Sequence, residues 1–283
     1  MSTRLGATTE NITIEGRHGP IPIRVYTPPD GHPTAPLVWV HGGAFCAGDL
    51  DQAESHAPAL TVASAGRTVV TVDYRLVPRF SWVGKQKPLP LTGTRFPIPL
   101  DDVSDAFAWA REQSPTGEAA LGGASAGACL SAATTLRLRD AGEPVPSRLV
   151  LAYGTFHAAL PALSPHLKSR LRGRHGFLQF RASTVDRMNL NYAGTAEAMS
   201  NPHAFPGGAD LTGFPPALLL DADHDSLRAS SEEFAAELTA AGVPVEHHVV
   251  PGSRHGFLDK PSRPHFDTGV GVVLRWMDTP PQP

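Results

Sequence analysis

Short apolar runs rich in β-branched residues alternate along most of this chain with stretches that carry apolar residues at helical spacing. The runs that predict buried strands are 37–40, 68–72, 118–121, 148–153, 217–221 and 245–250. The stretches that predict helices are 52–65, 101–113, the segment after residue 127, 230–242 and 267–277. This alternation is typical of the α/β class, a mostly parallel sheet with helices on both faces. In such folds ligands bind beyond the carboxyl ends of the strands.

Polar residues predict where two of the helices begin. Asp101 and Asp102 precede a run with Val103 and Ala106 on one face, so we expect the two carboxylates to cap that helix. The segment 230–233, Ser-Ser-Glu-Glu, is expected to open a second amphipathic helix that ends at a glycine.

Three segments depart from the alternation. Residues 11–15 and 21–27 alternate apolar and polar positions around a glycine-containing turn and predict an antiparallel hairpin. Residues 79–99 are rich in proline and basic side chains, and residues 156–214 are too long for a simple connection. Long insertions are often lids or binding loops, so we expect both to cover the edge of the sheet where ligands bind. We therefore expect one domain over residues 1–283.

Composition narrows the functional class. The chain has 283 residues, a net charge of −3 and no long run of like charges, which argues against nucleic acid or an anionic membrane as its main partner. No window approaches the ~18 uninterrupted apolar residues of a membrane span, and the start lacks the apolar core of a secretory signal. The two cysteines, Cys46 and Cys129, lack metal-ligand spacing and predict a reducing, cytoplasmic location. We expect no cofactor and no metal.

One serine between glycines is the first candidate for chemistry. Residues 123–127 read Gly-Ala-Ser-Ala-Gly, after the apolar run 118–121 and before a helical segment. A strand, a tight turn with one serine and a helix form a nucleophile elbow, which places the Ser125 hydroxyl beside a helix N-terminus. Because glycine, alanine and serine are common, the pentapeptide alone would also fit a turn of small residues without chemistry.

A serine nucleophile needs a basic histidine, and that histidine needs an acid to orient it. In folds of this type the acid and then the base follow the serine along the chain. His255 follows the last predicted strand and is the candidate base. The five residues 254–258 also occur at 174–178, but His175 lies in an irregular insertion and precedes every candidate acid.

Three aspartates, Asp221, Asp223 and Asp225, follow one another at every second position at the end of a predicted strand. Asp225 lies furthest beyond the strand and is the preferred partner of His255, with Asp223 as the alternative. This spacing would also suit a metal, but no glycine or later glutamate completes a calcium loop. All three carboxylates could instead accept backbone N–H groups where the next helix begins.

The segment His-Gly-Gly-Ala-Phe at 41–45 directly follows a predicted strand. Acyl transfer develops an oxyanion, and fixed backbone N–H groups that face it are often the largest catalytic contribution. A glycine-rich loop after an early strand is where those donors are expected. Together with the serine elbow and the ordered acid and base, the segment favours an oxyanion hole over a plain turn.

Six motifs in one order make the chain resemble the hormone-sensitive-lipase-type family of α/β-hydrolase esterases, also called the bacterial family IV carboxylesterases. The motifs are HGGAF at 41–45, DYRLVP at 73–78, FPIPLDD at 96–102, GASAG at 123–127, DSLR at 225–228 and HGF at 255–257. The resemblance covers most of the chain. It implies an α/β-hydrolase fold with a mostly parallel central sheet and a reduced cap formed by insertions.

The resemblance also implies roles for individual residues. Ser125 would be the nucleophile, Asp225 the acid and His255 the base. The backbone N–H groups of Gly43, Ala44 and Ala126 would be the oxyanion donors.

The chain departs from the family pattern in four places. Ala124 stands where the family usually has aspartate before the nucleophile, and Ala44 replaces the third glycine of the oxyanion loop. Residues 79–95 resemble an extra insertion, and the N-terminal helical part of the family's cap is nearly absent. These departures bear on substrate specificity more than on the chemistry.

The leading hypothesis is a serine hydrolase that cleaves small carboxylic esters with short acyl groups, because Ala44 narrows the oxyanion loop. One alternative keeps the pocket but changes the reaction, as in a biosynthetic dehydratase, cyclase or acyltransferase. Another is a ligand-binding receptor without catalysis, which the complete set of Ser125, Asp225 and His255 disfavours. The expected partner is a small-molecule ester, and a homodimer could form through the edge strand near Val245 and the C-terminal helix.

Overall fold

A computed structural model describes residues 6–30, 34–80, 92–176 and 179–279. In these residues eight strands form one sheet: β1 (Thr8–Gly16), β2 (Gly19–Thr27), β3 (Leu37–Val40), β4 (Val69–Val72), β5 (Ala120–Ala124), β6 (Leu149–Ala152), β7 (Ala217–His224) and β8 (Val245–Arg254). Their order across the sheet is β1-β2-β4-β3-β5-β6-β7-β8. β2 pairs antiparallel with β1 and β4, and the other neighbouring pairs are parallel. The predicted hairpin and the mostly parallel sheet are confirmed.

Helices cover both faces of this sheet. They are α1 (Ala53–Ser64), α2 (Ile98–Glu112), α3 (Ala126–Asp140), α4 (Pro165–Arg170), α5 (Ala182–Ala193), α6 (Ala196–Met199), α7 (Arg228–Ala240) and α8 (Pro264–Asp278). One apolar cluster joins α2, α3 and α7 to the sheet, and a second joins α1 and α8 to it. Neighbouring strand residues face opposite ways, so Val38 belongs to the first cluster and Trp39 to the second. The strands are therefore buried on both faces, as their continuous apolar runs predict.

The predicted capping role of Asp101 and Asp102 is wrong. α2 begins at Ile98, so both carboxylates lie inside the helix. Pro99 occupies the first turn, where its missing N–H removes no intrahelical hydrogen bond. The carboxylates form ion pairs instead, because Arg137 on α3 reaches Asp101 and Arg75 after β4 reaches Asp102. These pairs tie α2 to the neighbouring elements.

Other predicted boundaries also differ near the carboxyl edge of the sheet. α7 begins at Arg228 rather than at Ser230, whose hydroxyl oxygen accepts the Phe156 N–H at 2.8 Å and joins α7 to the chain after β6. β7 and β8 run beyond their predicted ends because they pair with each other as far as His224 and Arg254. The residue that follows β8, His255, therefore comes directly after a paired strand residue, Arg254.

The long insertion at 156–214 contains α4, α5, α6 and a 3₁₀ helix at Gly173–His175. Val185 and Met188 of α5 pack into the same apolar cluster as α2 and α3. Most of the other predicted insertion, 79–99, lies outside the described residues. Among the helices that the structure describes, none has the length and apolarity needed to cross a membrane.

Candidate active site

Ser125 lies in a sharp turn between β5 and α3. Its backbone has φ 54°, a conformation that costs a non-glycine residue about 1–3 kcal/mol unless its surroundings hold it. The Ser125 N–H donates to the Ala152 carbonyl of β6 at 2.8 Å, which fixes the turn to the sheet. A Cβ at Gly127 would lie 2.1 Å from the Val40 carbonyl oxygen, so only glycine lets α3 approach β3 this closely. The elbow geometry expected from the sequence is present.

Ser125, His255 and Asp225 form a hydrogen-bonded chain. The Ser125 Oγ lies 3.0 Å from His255 Nε2, and His255 Nδ1 lies 2.6 Å from an oxygen of Asp225. The elements that carry them are the β5–α3 turn, the residue after β8 and the β7–α7 turn, all at the carboxyl edge of the sheet. Distances of this kind suit proton transfer from the hydroxyl to the imidazole.

The carboxylate of Asp225 is almost fully buried, with 1% of the residue exposed. Its second oxygen accepts the Leu227 N–H at 3.0 Å, so both oxygens have partners. Burial by itself lowers the pKa of His255, but the charge and hydrogen bond of Asp225, together with two weaker carboxylate charges, outweigh it and raise that pKa. Asp225 therefore favours the protonated imidazolium that forms when His255 takes the serine proton.

The two aspartates that precede Asp225 have other partners. Asp221 accepts a hydrogen bond from His247 Nε2 at 2.7 Å. Asp223 accepts two hydrogen bonds from the Arg170 guanidinium of α4 and one from the Gly252 N–H. The Arg170 hydrogen bond, the largest influence, lowers the pKa of Asp223 to about 2. The structure therefore does not bring Asp223, the alternative acid, to His255.

The segment after β3 lies against the serine turn. Gly43 has φ 104°, and a Cβ there would lie 2.0 Å from the Ala47 carbonyl oxygen, so this position requires glycine. Ala44 adopts φ 55°, which is strained for a residue with a Cβ. The glycine that the family usually has at this position would adopt the same φ without strain. Gly43 and Ala44 line one pocket with Ser125, and Ala126 is the first residue of α3. An N–H in the first turn of a helix has no acceptor within that helix and is available to an anion.

His41 and Tyr74 fix the conformation of the segment after β3. Their rings stack with centroids 4.4 Å apart, and the Tyr74 hydroxyl lies 3.2 Å from the His41 carbonyl and 3.3 Å from that of Gly42. Burial lowers the pKa of His41 to about 4, so its imidazole is neutral at neutral pH. The neutral ring donates its Nδ1 hydrogen to the Gly42 carbonyl at 2.7 Å. Tyr74, from the DYRLVP motif, thus acts on the conformation of the loop.

His175, the histidine of the repeated pentapeptide, lies elsewhere in the site region. Its ring stacks on that of His224 with centroids 3.6 Å apart, and its Nδ1 lies 3.4 Å from the Arg254 guanidinium. His224, in turn, contacts the Arg170 carbonyl through Nδ1 at 2.7 Å. These contacts join the insertion to the ends of β7 and β8 rather than to Ser125.

The insertion contributes residues that the sequence analysis did not single out. Gln179 donates to the His224 carbonyl at 3.1 Å and accepts the Ser226 N–H at 2.8 Å, so it fixes the turn that carries the buried acid. The rings of Phe180 and His255 form a T-shaped contact, with centroids 4.9 Å apart. The only sequence signal for them was the unusual length of the segment, because an irregular segment has no period that marks its inward-facing side chains.

A pocket of about 410 Å³ opens onto the serine. Its walls include Gly43 and Ala44 of the segment after β3 and the apolar residues Phe180, Met188 and Leu227. A volume of this size is at the lower end of the range for small-molecule sites. The pocket can therefore hold a small ligand with its reactive carbon at the Ser125 hydroxyl.

Comparisons with known proteins agree with this geometry. A model of the alpha/beta hydrolase fold family matches residues 37–259. The carboxylesterase NlhH of Mycobacterium tuberculosis is 33% identical over 84% of this chain and 72% of its own. An ethyl acetate hydrolase of Pseudomonas putida is 30% identical over 84% and 71%. The crystal structure of an esterase from Pyrobaculum calidifontis superposes with a TM-score of 0.80 and 29% identity, over 95% of this chain and 85% of that one.

The family match covers well over half of the chain, and it includes the serine turn, the acid turn and the histidine that follows β8. The two relatives extend the match to enzymes named for the hydrolysis of carboxylic esters. The chain belongs to the α/β-hydrolase fold family, within the hormone-sensitive-lipase-type branch of carboxylesterases that its motifs resemble.

Proposed function

We propose that this chain hydrolyses small carboxylic esters through an acyl-enzyme on Ser125. The observation that carries the proposal is the hydrogen-bonded chain from Ser125 Oγ through His255 to Asp225, with links of 3.0 and 2.6 Å. This chain lies in a pocket beside the backbone of Gly43 and Ala44. The family and its esterase relatives support the same reaction class.

The reaction divides into acylation and deacylation. Ser125 Oγ attacks the ester carbonyl while its proton moves to His255 Nε2, and the N–H groups of Gly43, Ala44 and Ala126 stabilise the oxyanion. The C–O bond to the alcohol breaks, and the alcohol leaves with the proton from Nε2. Water then gives its proton to Nε2 and attacks the acyl carbon. The carboxylic acid leaves as Ser125 takes its proton back, which restores the starting state.

The pocket supports a preference for short acyl groups. Its volume of about 410 Å³ is bounded by Phe180, Met188 and Leu227, and the Ala44 methyl occupies space that a glycine would leave open. The relative named ethyl acetate hydrolase has a name that refers to an ester of a two-carbon acid. The first test is hydrolysis of p-nitrophenyl acetate, butyrate and octanoate. We expect kcat/KM to fall from the shorter esters to octanoate, and faster cleavage of octanoate would contradict the proposal.

Met188 provides a sharper test of the pocket wall. It lies on α5, lines the pocket and is 3% exposed. Met188→Ala should raise the ratio of kcat/KM for octanoate over acetate by about tenfold, since each buried methylene contributes ~0.8 kcal/mol. Met199→Ala on α6, outside this pocket, should leave the ratio unchanged and serves as the control. An unchanged ratio in Met188→Ala would place the acyl chain elsewhere.

The insertion at 156–214 is proposed as a lid over this site, supported by the contact of Phe180 with His255 and the bond of Arg170 to Asp223. A single domain is supported by the packing of α5 in the same apolar cluster as α2 and α3. A cytoplasmic location and a homodimer through β8 and α8 stay predictions. The absence of a metal or cofactor requirement also stays a prediction.

A further inference from the structure

Glu54 on α1 is a buried carboxylate that the triad mechanism does not use. The residue is 3% exposed, and each of its carboxylate oxygens accepts one hydrogen bond. Oε2 accepts the Gly42 N–H at 2.9 Å, and Oε1 accepts the Tyr153 hydroxyl hydrogen at 2.6 Å. Two donors on two different oxygens suit an ionised carboxylate, which has acceptor sites only. A buried carboxylate with this pattern requires an explanation beyond packing.

The backbone of Glu54 is fixed as firmly as its side chain. Its N–H donates to an oxygen of Asp259 at 3.1 Å, and its carbonyl accepts the Trp39 indole N–H at 2.9 Å. Glu54 therefore has little freedom to move away from Gly42. Gly42 directly precedes the two proposed oxyanion donors, Gly43 and Ala44. The hydrogen bond from its N–H to Glu54 therefore fixes the position of the oxyanion loop.

Glu54 also lies close to the nucleophile. A Cβ placed on Gly42 would be 2.3 Å from Glu54 Oε2 and 3.0 Å from the Ser125 Cβ, so the carboxylate and the serine approach the same glycine. Ala124, where the family usually has aspartate, is fully buried in an apolar cluster and brings no carboxylate to the elbow. The carboxylate beside this elbow comes from α1.

The second target of Glu54 is His255. Tyr153, which donates to Glu54, packs edge-on against the His255 ring with centroids 5.0 Å apart. The charged groups that face His255 are Asp225, Glu54 and Asp221, and each favours the imidazolium.

The groups that face Glu54 are Tyr153, His255 and Asp259. Burial, the largest influence, and the Asp259 charge raise the pKa of Glu54. The Tyr153 hydrogen bond, the His255 charge and the Gly42 N–H lower it but do not outweigh burial, so the pKa of Glu54 is raised overall.

We propose that Glu54 is a positioning residue with two tasks in the ester hydrolysis proposed above. It fixes the oxyanion loop through the Gly42 N–H. Its negative charge adds to that of Asp225 in stabilising the imidazolium of His255. The first task affects how well the backbone donors meet the oxyanion. The second affects the pH at which His255 loses its proton. A purely structural glutamate would affect neither once the protein is folded.

Glu54→Gln tests both tasks because glutamine has the same size but no charge, and its amide nitrogen cannot accept a hydrogen bond. For p-nitrophenyl butyrate we expect kcat to fall about 10- to 100-fold with KM nearly unchanged, less than the loss of a whole oxyanion donor. Loss of the negative charge lowers the pKa of His255, so the acid limb of the kcat/KM profile should move to lower pH. Glu54→Asp keeps the charge but shortens the reach, so it should lower kcat and leave the limb near its wild-type position.

Controls separate this inference from the proposed function and from misfolding. Glu118→Gln, an exposed glutamate before β5, should match the wild type in both rate and pH profile. If Glu54→Gln does not fold, Tyr153→Phe removes only the hydroxyl and should lower kcat in the same direction. A folded Glu54→Gln variant, or in its place a folded Tyr153→Phe variant, with wild-type kcat and acid limb overturns the inference. Hydrolysis that survives Ser125→Ala is a separate outcome: it overturns the proposed function, and with it the inference that rests on that function.

Discussion

Ser125→Ala is expected to lower kcat for p-nitrophenyl butyrate by about 10⁴-fold or more. The substitution removes the hydroxyl oxygen that bonds to the acyl carbon in the proposed mechanism, while the backbone donors and the pocket are kept. Alanine should tolerate the positive φ of this position about as well as serine does, so the melting temperature should change little. The residual rate would then reflect binding and the oxyanion hole alone.

The measurement compares steady-state rates of the wild type, Ser125→Ala and Ser114→Ala. Ser114 follows α2, outside the pocket, so its substitution should leave kcat within about twofold, as is usual for surface changes. Turnover in Ser125→Ala close to that of the wild type would rule out an acyl-enzyme on this serine. A wild type that cleaves no test ester but is labelled at Ser125 would favour a specialised reaction on the same scaffold.

The two copies of the pentapeptide Arg-His-Gly-Phe-Leu allow the second prediction. His255→Ala should reduce kcat by about 10⁴-fold or more, because Ser125 then has no base and the acid has no imidazolium to stabilise. His175→Ala removes the same side chain from the same local sequence, but its ring stacks on His224 rather than contacting Ser125. We expect His175→Ala to keep kcat within about threefold of the wild type, since its contacts with His224 and Arg254 support the site without touching Ser125.

His175→Ala serves as the control for His255→Ala, because both variants replace a histidine that has the same neighbours in the sequence. Thermal unfolding of each variant would show whether either loss of rate comes from loss of structure. A large loss in His175→Ala together with an active His255→Ala would show that the wrong histidine has been chosen as the base.

Much of the fold could be predicted because the sheet is buried on both faces. Strands such as 37–40 then consist of continuous apolar residues. This sequence pattern is easy to distinguish from the spaced apolar positions of amphipathic helices. Helix starts were less predictable, since Asp101 and Asp102 have the composition of caps but are drawn into ion pairs with Arg137 and Arg75. A capping pattern is local, whereas those arginines come from distant elements.

The candidate site shows the same division. Chain order and motif spacing led to Ser125 and His255, because the turn after a strand limits which residues can reach the sheet edge. The sequence already preferred Asp225 to Asp223, and the structure adds the physical reason, since it shows Arg170 on Asp223 and His255 on Asp225.

Glu54 carries no motif that marks it. It lies in an ordinary helix pattern, and its importance follows from burial against Gly42 and Tyr153. Contacts between segments far apart in the chain leave no local trace in the sequence.

Covalent labelling of Ser125 tests the central claim most directly. A fluorophosphonate forms a stable bond to an activated serine, and its tetrahedral phosphorus resembles the intermediate of ester hydrolysis. Trypsin cleavage after Arg111 and Arg137 gives a peptide of residues 112–137 that contains Ser125. Mass spectrometry of this peptide should show one adduct, located on Ser125, whose formation parallels the loss of esterase activity and is abolished in His255→Ala. An unmodified peptide in a fully inhibited enzyme, or an adduct on another residue, would contradict the account.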